Sequence, residues 1–245
     1  MNTNTNTNII PNQEYFEIEL PGLKLYDNLE SLKIRKITPF IHKKILSLAN
    51  IDADPIKFLD VLNELVLNYD LGEINLDDLS YILYQIRLTC YSMIPIELRF
   101  KCPHCEKENK VILNASALDI KEQDSFPTVD LENFEPIHLR YRKIKDDKIM
   151  EKFLSDKNLD KNDPFYRTLV VDALVMDSWK PLDEIWELME NGKITVQDTL
   201  KIENALISNS YGVKQELTYE CKHCKEEVTQ AYELSLGDYF PPALS

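Results

Sequence analysis

The sequence predicts an α+β fold, mainly helical, made of two pseudo-duplicated halves. Each half carries a β-hairpin knuckle with a CxxC turn, and the knuckles join in a zinc-ribbon-like site of four cysteines. Three observations predict this. Four of the five cysteines fall in two pairs, Cys102-Pro103-His104-Cys105 and Cys221-Lys222-His223-Cys224. Alternating apolar and polar residues, the period of a half-buried strand, flank both pairs. Elsewhere apolar residues recur at helical spacing.

Residues 1–13 open with an Asn-Thr repeat and read as a disordered leader, without the charged region and apolar run of a secretory signal. Phe16-Glu17-Ile18-Glu19-Leu20 alternates as a strand, and Pro21-Gly22 turns it toward a basic amphipathic strand over 32–37. Phe40, Ile41, Ile45, Leu46 and Leu48 predict a short helix. Ile56, Leu59, Leu62, Leu65 and Val66 predict a second, ending before Gly72. Leu76, Leu79, Ile82, Leu83, Ile86 and Cys90 line a third, with Cys90 as a core residue. Asp77-Asp78 opens that helix, where negative charge suits the dipole, and Asp146-Asp147 does the same later. Strands over 96–100 and 110–113 enclose the first knuckle.

The second half repeats this order. Leu139-Arg140-Tyr141-Arg142-Lys143-Ile144 matches Leu32-Lys33-Ile34-Arg35-Lys36-Ile37 position by position in character, and reads as a strand. Asp163-Pro164 echoes Asp54-Pro55, each a capping Asp with Pro at the first helical position. Ile149, Met150, Phe153 and Leu154 predict a short helix. Phe165, Leu169, Val170, Ala173 and Leu174 predict one reaching about Trp179. Ile185, Trp186, Leu188 and Met189 predict a third, ending at Gly192. Thr195 caps a last helix carrying Val196, Leu200, Ile202 and Leu206, and all these stripes read as core packing. Strands over 216–219 and 227–232 enclose the second knuckle. The halves are then 14–125 and 126–245, the latter ending in an apolar tail, Phe240-Pro241-Pro242-Ala243-Leu244-Ser245, that either frays or docks on a partner.

The chemistry sits in the knuckles. A CxxC turn sets two thiolates on one side of a tight loop, and two such loops complete a tetrahedral zinc site at Cys102, Cys105, Cys221 and Cys224. Four thiolates on one zinc leave a charge of about −2, which Lys101, Lys107, Lys110, Lys222 and Lys225 and backbone N–H groups can offset. The run from Cys105 to Cys221 is far longer than the roughly 15–20 residues within a contiguous ribbon, so the pairs meet either through the duplication or across a dimer. A thioredoxin-like redox pair is the other alternative, but it needs a βαβ setting. His104 and His223 read as solvent-facing turn residues, His42 as lying on a polar helix face and His138 on the polar side of a strand.

Composition narrows the function classes. A formal charge of −14 repels phosphate backbones, so no nucleic-acid partner is expected. Five glycines leave no glycine-rich phosphate loop, and neither GxSxG nor HExxH occurs. No enzyme, small-molecule substrate or membrane span is expected; with no secretory signal either, the expected compartment is a reducing cytosol, where the cysteines read as metal ligands or free thiols.

The strand over 32–37 followed by Pro39-Phe40 and a Lys-rich helix resembles the start of the T4-type bacteriophage baseplate hub assembly proteins. Asp77-Asp78-Leu79-Ser80-Tyr81-Ile82-Leu83-Tyr84-Gln85-Ile86-Arg87 is similar to that family's central helix, which also leads into a CxxC knuckle. After Arg87 this chain has Leu88-Thr89-Cys90-Tyr91-Ser92-Met93, where the family has small residues and a glycine. The resemblance implies a tail-assembly factor in the host bacterial cytoplasm whose partners are other phage baseplate or hub proteins. Retention in the virion baseplate is the alternative, and a zinc-ribbon regulator of polymerase or nucleic acid a more distant one.

Overall fold

The computed structural model describes residues 14–49, 55–113 and 118–241. The expected leader, the Asp54 cap and residues 242–245 of the tail lie outside them. Alternation builds the first hairpin: β1 (Tyr15–Ile18) pairs antiparallel with β2 (Leu32–Arg35), setting Phe16 opposite Ile34 and Ile18 opposite Leu32. The two-residue period turns Ile18, Leu32 and Ile34 to one buried face. α1 (Pro39–Ala49) and α2 (Pro55–Asn63) pack beside it. α2 ends before its apolar stripe does, because the far edge of β2 takes Leu65 and Val66 as partners. Arg35 N–H donates to the Leu65 carbonyl and Leu67 N–H to the Lys33 carbonyl, both at 2.9 Å. These bonds satisfy strand groups that another turn of helix would leave unpaired.

α3 (Leu76–Tyr91) leads into the hairpin of β3 (Ile96–Lys101) and β4 (Glu108–Leu113), whose turn is the first CxxC. Two short ladders follow: β5 (Ile120–Lys121) with β8 (Gly212–Val213), and β6 (Thr128–Val129) with β7 (Ile137–His138). The strand expected over 139–144 is not a ladder strand. Its backbone bonds scatter: Leu139 N–H goes to the Pro127 carbonyl at 2.8 Å, Arg140 N–H to Val175 at 2.8 Å and Ile144 N–H to Ile74 at 2.9 Å. The cause is Arg140. Its guanidinium, with a side chain only 11% exposed, grips Asp146 and Asp177 and pins the segment between elements of both halves.

α4 (Asp146–Asp156), α5 (Pro164–Val175), α6 (Leu182–Glu190) and α7 (Val196–Ser208) complete that half. Asp163 caps α5 by accepting from Phe165 N–H at 2.9 Å, with Pro164 at the first position. α5 stops at Val175, short of Trp179, where its last carbonyl meets Arg140. Gly192, at φ +65°, ends α6, and Thr195 with Asp198 forms a capping box on α7. β9 (Glu216–Glu220) and β10 (Glu227–Ala231) make the second knuckle hairpin, and α8 (Leu236–Tyr239) closes the described chain.

The fold is thus mixed helix and strand, with eight α-helices and small two-stranded sheets among the described residues. The main core joins the first half to Tyr232, Tyr239 and Phe240 from the chain end, while the second half packs around Ile185, Ile202 and Leu154. The described part of the tail therefore neither frays nor stands free. Phe240 is fully buried against Phe58 and Tyr91, and the Pro241 carbonyl lies 3.0 Å from His42 Nε2. His42 is half-buried and meets this segment through its ring nitrogen. Four residues expected in the core are exposed: Phe40 by 80%, Phe165 by 63%, Val196 by 76% and Leu200 by 51%. Among the described residues no helix is long and apolar enough to cross a membrane.

Candidate metal centre

The two knuckles are built alike. In the first, Cys102 N–H donates to the Lys107 carbonyl at 3.0 Å, and Glu106 N–H to the Cys102 carbonyl at 2.8 Å. In the second, Cys221 N–H donates to Glu226 at 2.9 Å and Lys225 N–H to Cys221 at 3.0 Å. Glu106 and Lys225, each directly after the second cysteine of its pair, sit in the left-handed region at φ 59° and 68°. That conformation disfavours side chains with a Cβ, so both turns hold the same local strain.

One chain is enough to bring the turns together. The four sulfurs lie within 4.8 Å of one another, with Cys102 Sγ 3.7 Å from Cys224 Sγ and Cys105 Sγ 3.7 Å from Cys221 Sγ. A disulfide is about 2.05 Å long, whereas sulfurs about 2.3 Å from a tetrahedral ion stand about 3.8 Å apart. The two 3.7 Å distances match the second spacing, and the cluster could hold a metal ion. Cys102 and Cys221 are buried; Cys105 and Cys224 are half-buried.

The thiols are not equivalent. Cys221 is pushed down to about 5, first by the Cys224 backbone N–H and then by the His223 backbone and the Asn109 amide. Cys224 is pushed up to about 12: the Glu226 backbone N–H favours its thiolate, but desolvation and hydrogen bonds with three neighbouring thiols outweigh it. A first thiolate is welcome, and further negative charge needs a cation.

Asn109 ties the knuckles to each other. It is 1% exposed; its Oδ1 accepts from Lys222 N–H at 2.9 Å, and its Nδ2 donates to Cys221 Sγ at 3.4 Å. Asn109 carries a sequence signal that CxxC spacing does not include: an amide stands in the inward register of β4, shared with Val111 and Leu113. Phe100 and Tyr219 stack beside the cluster with ring centroids 5.4 Å apart and form its apolar floor with Val111 and Val228. The lysines contribute less than expected. Lys110 pairs with Glu97, Lys225 with Glu220, and Lys222 Nζ donates to the Lys110 carbonyl. Among the described residues no ammonium is hydrogen-bonded to sulfur, so N–H groups and the Asn109 amide carry that role. His104 is exposed; His223 Nε2 stands 3.2 Å from the Glu108 carbonyl while its backbone N–H donates to Cys221 Sγ at 3.4 Å.

A protein-family model described as T4 bacteriophage base plate protein matches residues 17–237, most of the chain. The chain belongs to this family. Neither the curated proteins nor the solved structures gave a match. Membership makes it a phage baseplate-associated protein. It suggests a non-enzymatic role and implies other baseplate proteins as partners.

This baseplate protein has a second buried polar cluster, at the start of α3. Asp78 is fully buried and accepts from Gly22 N–H at 2.9 Å, from Tyr211 Oη at 2.8 Å and from Tyr26 Oη. Burial raises its carboxyl above the ordinary range. Gly22 is required there, since a Cβ would stand 2.5 Å from Tyr211 Oη. Asp77-Asp78 does open the helix, as the sequence suggested. The second carboxylate, however, is a structural hub linking the loop at Gly22 to Tyr211 of the other half, and not simply a partner for the dipole.

Proposed function

We propose that this chain is an assembly factor of the baseplate hub that works by binding other baseplate proteins, and that Cys102, Cys105, Cys221 and Cys224 hold one structural zinc ion. The observation that carries the reading is the convergence of four sulfurs at tetrahedral spacing, from turns far apart in the sequence, in a member of a baseplate family. Four thiolates suit zinc, and they leave no position for a catalytic water. The ion would clamp the halves 14–125 and 126–245 together, as metal binding does where it is coupled to folding.

Descent of the halves by duplication is supported by a shared backbone pattern. Arg35 N–H reaches the Leu65 carbonyl just past α2, and Arg140 N–H reaches Val175 at the end of α5. This sets Arg35 against Arg140, whereas residue character had set it against Arg142. The strongly acidic surface disfavours nucleic acid and suits a chain that stays soluble in the host bacterial cytoplasm until its partners arrive.

The family's description as a base plate protein favours a second reading, a structural component retained in the virion. Quantitative mass spectrometry of purified particles separates the two. A transient factor is expected to be missing or far below stoichiometry, and a stoichiometric presence defeats the transient-factor version.

A further inference from the structure

α7 has two apolar faces. Ile202, Ala205 and Leu206 turn into the protein, while Val196, Leu200 and Ile207 share the opposite face. The outward three are exposed by 76%, 51% and 71%. α5 lies alongside, running in the same direction: Phe165 and Val196 line one cavity at one end, and Val171 and Ile207 line another at the other. A groove marked by two separate cavities follows the pair. One cavity of about 320 Å³ opens over Leu169, Trp186 and Met189, and another of about 420 Å³ opens over Met150, Val171 and Leu206.

The second cavity contains an unanswered charge. Asp172 is 3% exposed and lines it, yet among the described residues its carboxylate has neither a hydrogen bond nor an ion pair. Glu203 of α7 adds a charge of the same sign beside it. The two arginines on the cavity wall, Arg142 and Arg167, are engaged with Asp147 instead. Two carboxylates at a half-closed site with neither one paired to a cation are costly, and an ammonium or guanidinium from outside would relieve that cost.

We propose that the α5–α7 groove is the docking site for an amphipathic helix of another baseplate protein. An apolar anchor would enter the Phe165–Val196 end, and a Lys or Arg about two turns away would sit over Asp172 and Glu203. The proposal rests on the partner-binding reading above and adds the surface and the chemistry of the occupant. Charge selects that occupant. A second copy would bring another surface of net charge −14, whereas the acid pair asks for a basic segment. From Val196 to Ile207 the groove runs about 16 Å, room for about three helical turns.

The test uses the full chain and the phage's other baseplate proteins, each purified, with affinities read by biolayer interferometry. Val196→Asp and Glu203→Lys should each weaken binding to one of these proteins by roughly tenfold or more. Reversing the matching basic residue of that protein should restore binding to Glu203→Lys. Phe40→Asp, at an exposed apolar position on the other half, should change nothing. Both groove positions lie at the surface, and circular dichroism will establish that the variants fold. Binding that neither groove variant affects overturns the groove and leaves the baseplate reading standing. A parent chain that binds none of the proteins overturns both. Sedimentation showing a dimer that Val196→Asp dissociates assigns the groove to a second copy and overturns the proposal.

Discussion

Replacing Asp172 with Asn should stabilise the protein, and by more at alkaline than at acid pH. Burial first, and Glu203 second, push the Asp172 carboxyl from 3.8 up to about 7. A raised carboxyl favours the fold while it is protonated. Its contribution is present in full below about pH 3.8 and is lost as the pH rises through about 7. A gap of about three units corresponds to about 4 kcal/mol at the alkaline end. Asn stands in for the neutral acid at every pH, so the advantage of the variant should grow by about 2–3 kcal/mol between about pH 5 and about pH 8. Glu203→Gln should shrink this dependence by removing the like charge. Arg142 and Arg167 face the same cavity but are held by Asp147, so they do not cancel it. Urea unfolding followed by circular dichroism at both pH values gives the difference directly. A parent-to-variant gap that stays flat with pH, or a variant less stable at about pH 8, would refute the reasoning.

Three further outcomes follow from the geometry. Cys224→Ser should abolish metal binding and loosen the joined knuckles, read as loss of one zinc per chain by elemental analysis and as a lower melting temperature; reduced parent protein without metal would defeat this. Asn109→Ala should cost about 1–3 kcal/mol in urea unfolding, because Lys222 N–H loses a buried acceptor. An unchanged midpoint there means that Asn109 does not tie the knuckles. Phe240→Ala should cost about 3–5 kcal/mol, since the ring is fully buried between Phe58 and Tyr91. A loss below about 1 kcal/mol would show that the chain end is not part of the first-half core.

The parts of the fold legible in advance were those governed by neighbours in sequence. Alternation marked both knuckle hairpins, and the Asp163-Pro164 and Thr195 caps marked α5 and α7 at the positions observed. The misread segments were those whose partners lie elsewhere. α2 yields Leu65 and Val66 to β2, and the segment over 139–144 gives up a ladder because Arg140 is held by Asp146 and Asp177. Apolar spacing cannot tell an inner from an outer stripe when a helix has two. Val196 and Leu200 were therefore read as core along with Ile202, although only Ile202 of the three faces inward.

The candidate site divides the same way. Residue type and CxxC spacing alone determined that Cys102, Cys105, Cys221 and Cys224 are suited to bind a metal, because a tight turn fixes the two thiols of each pair locally. Tertiary structure alone decided that both turns meet within one chain, that Asn109 bridges them, and that Asp172 and Glu203 come together at one cavity with neither paired to a cation. Local sequence sets which backbone conformations are cheap. Distances between residues remote in the chain, and the burial that gives a charge its cost, arise only when the whole core has packed.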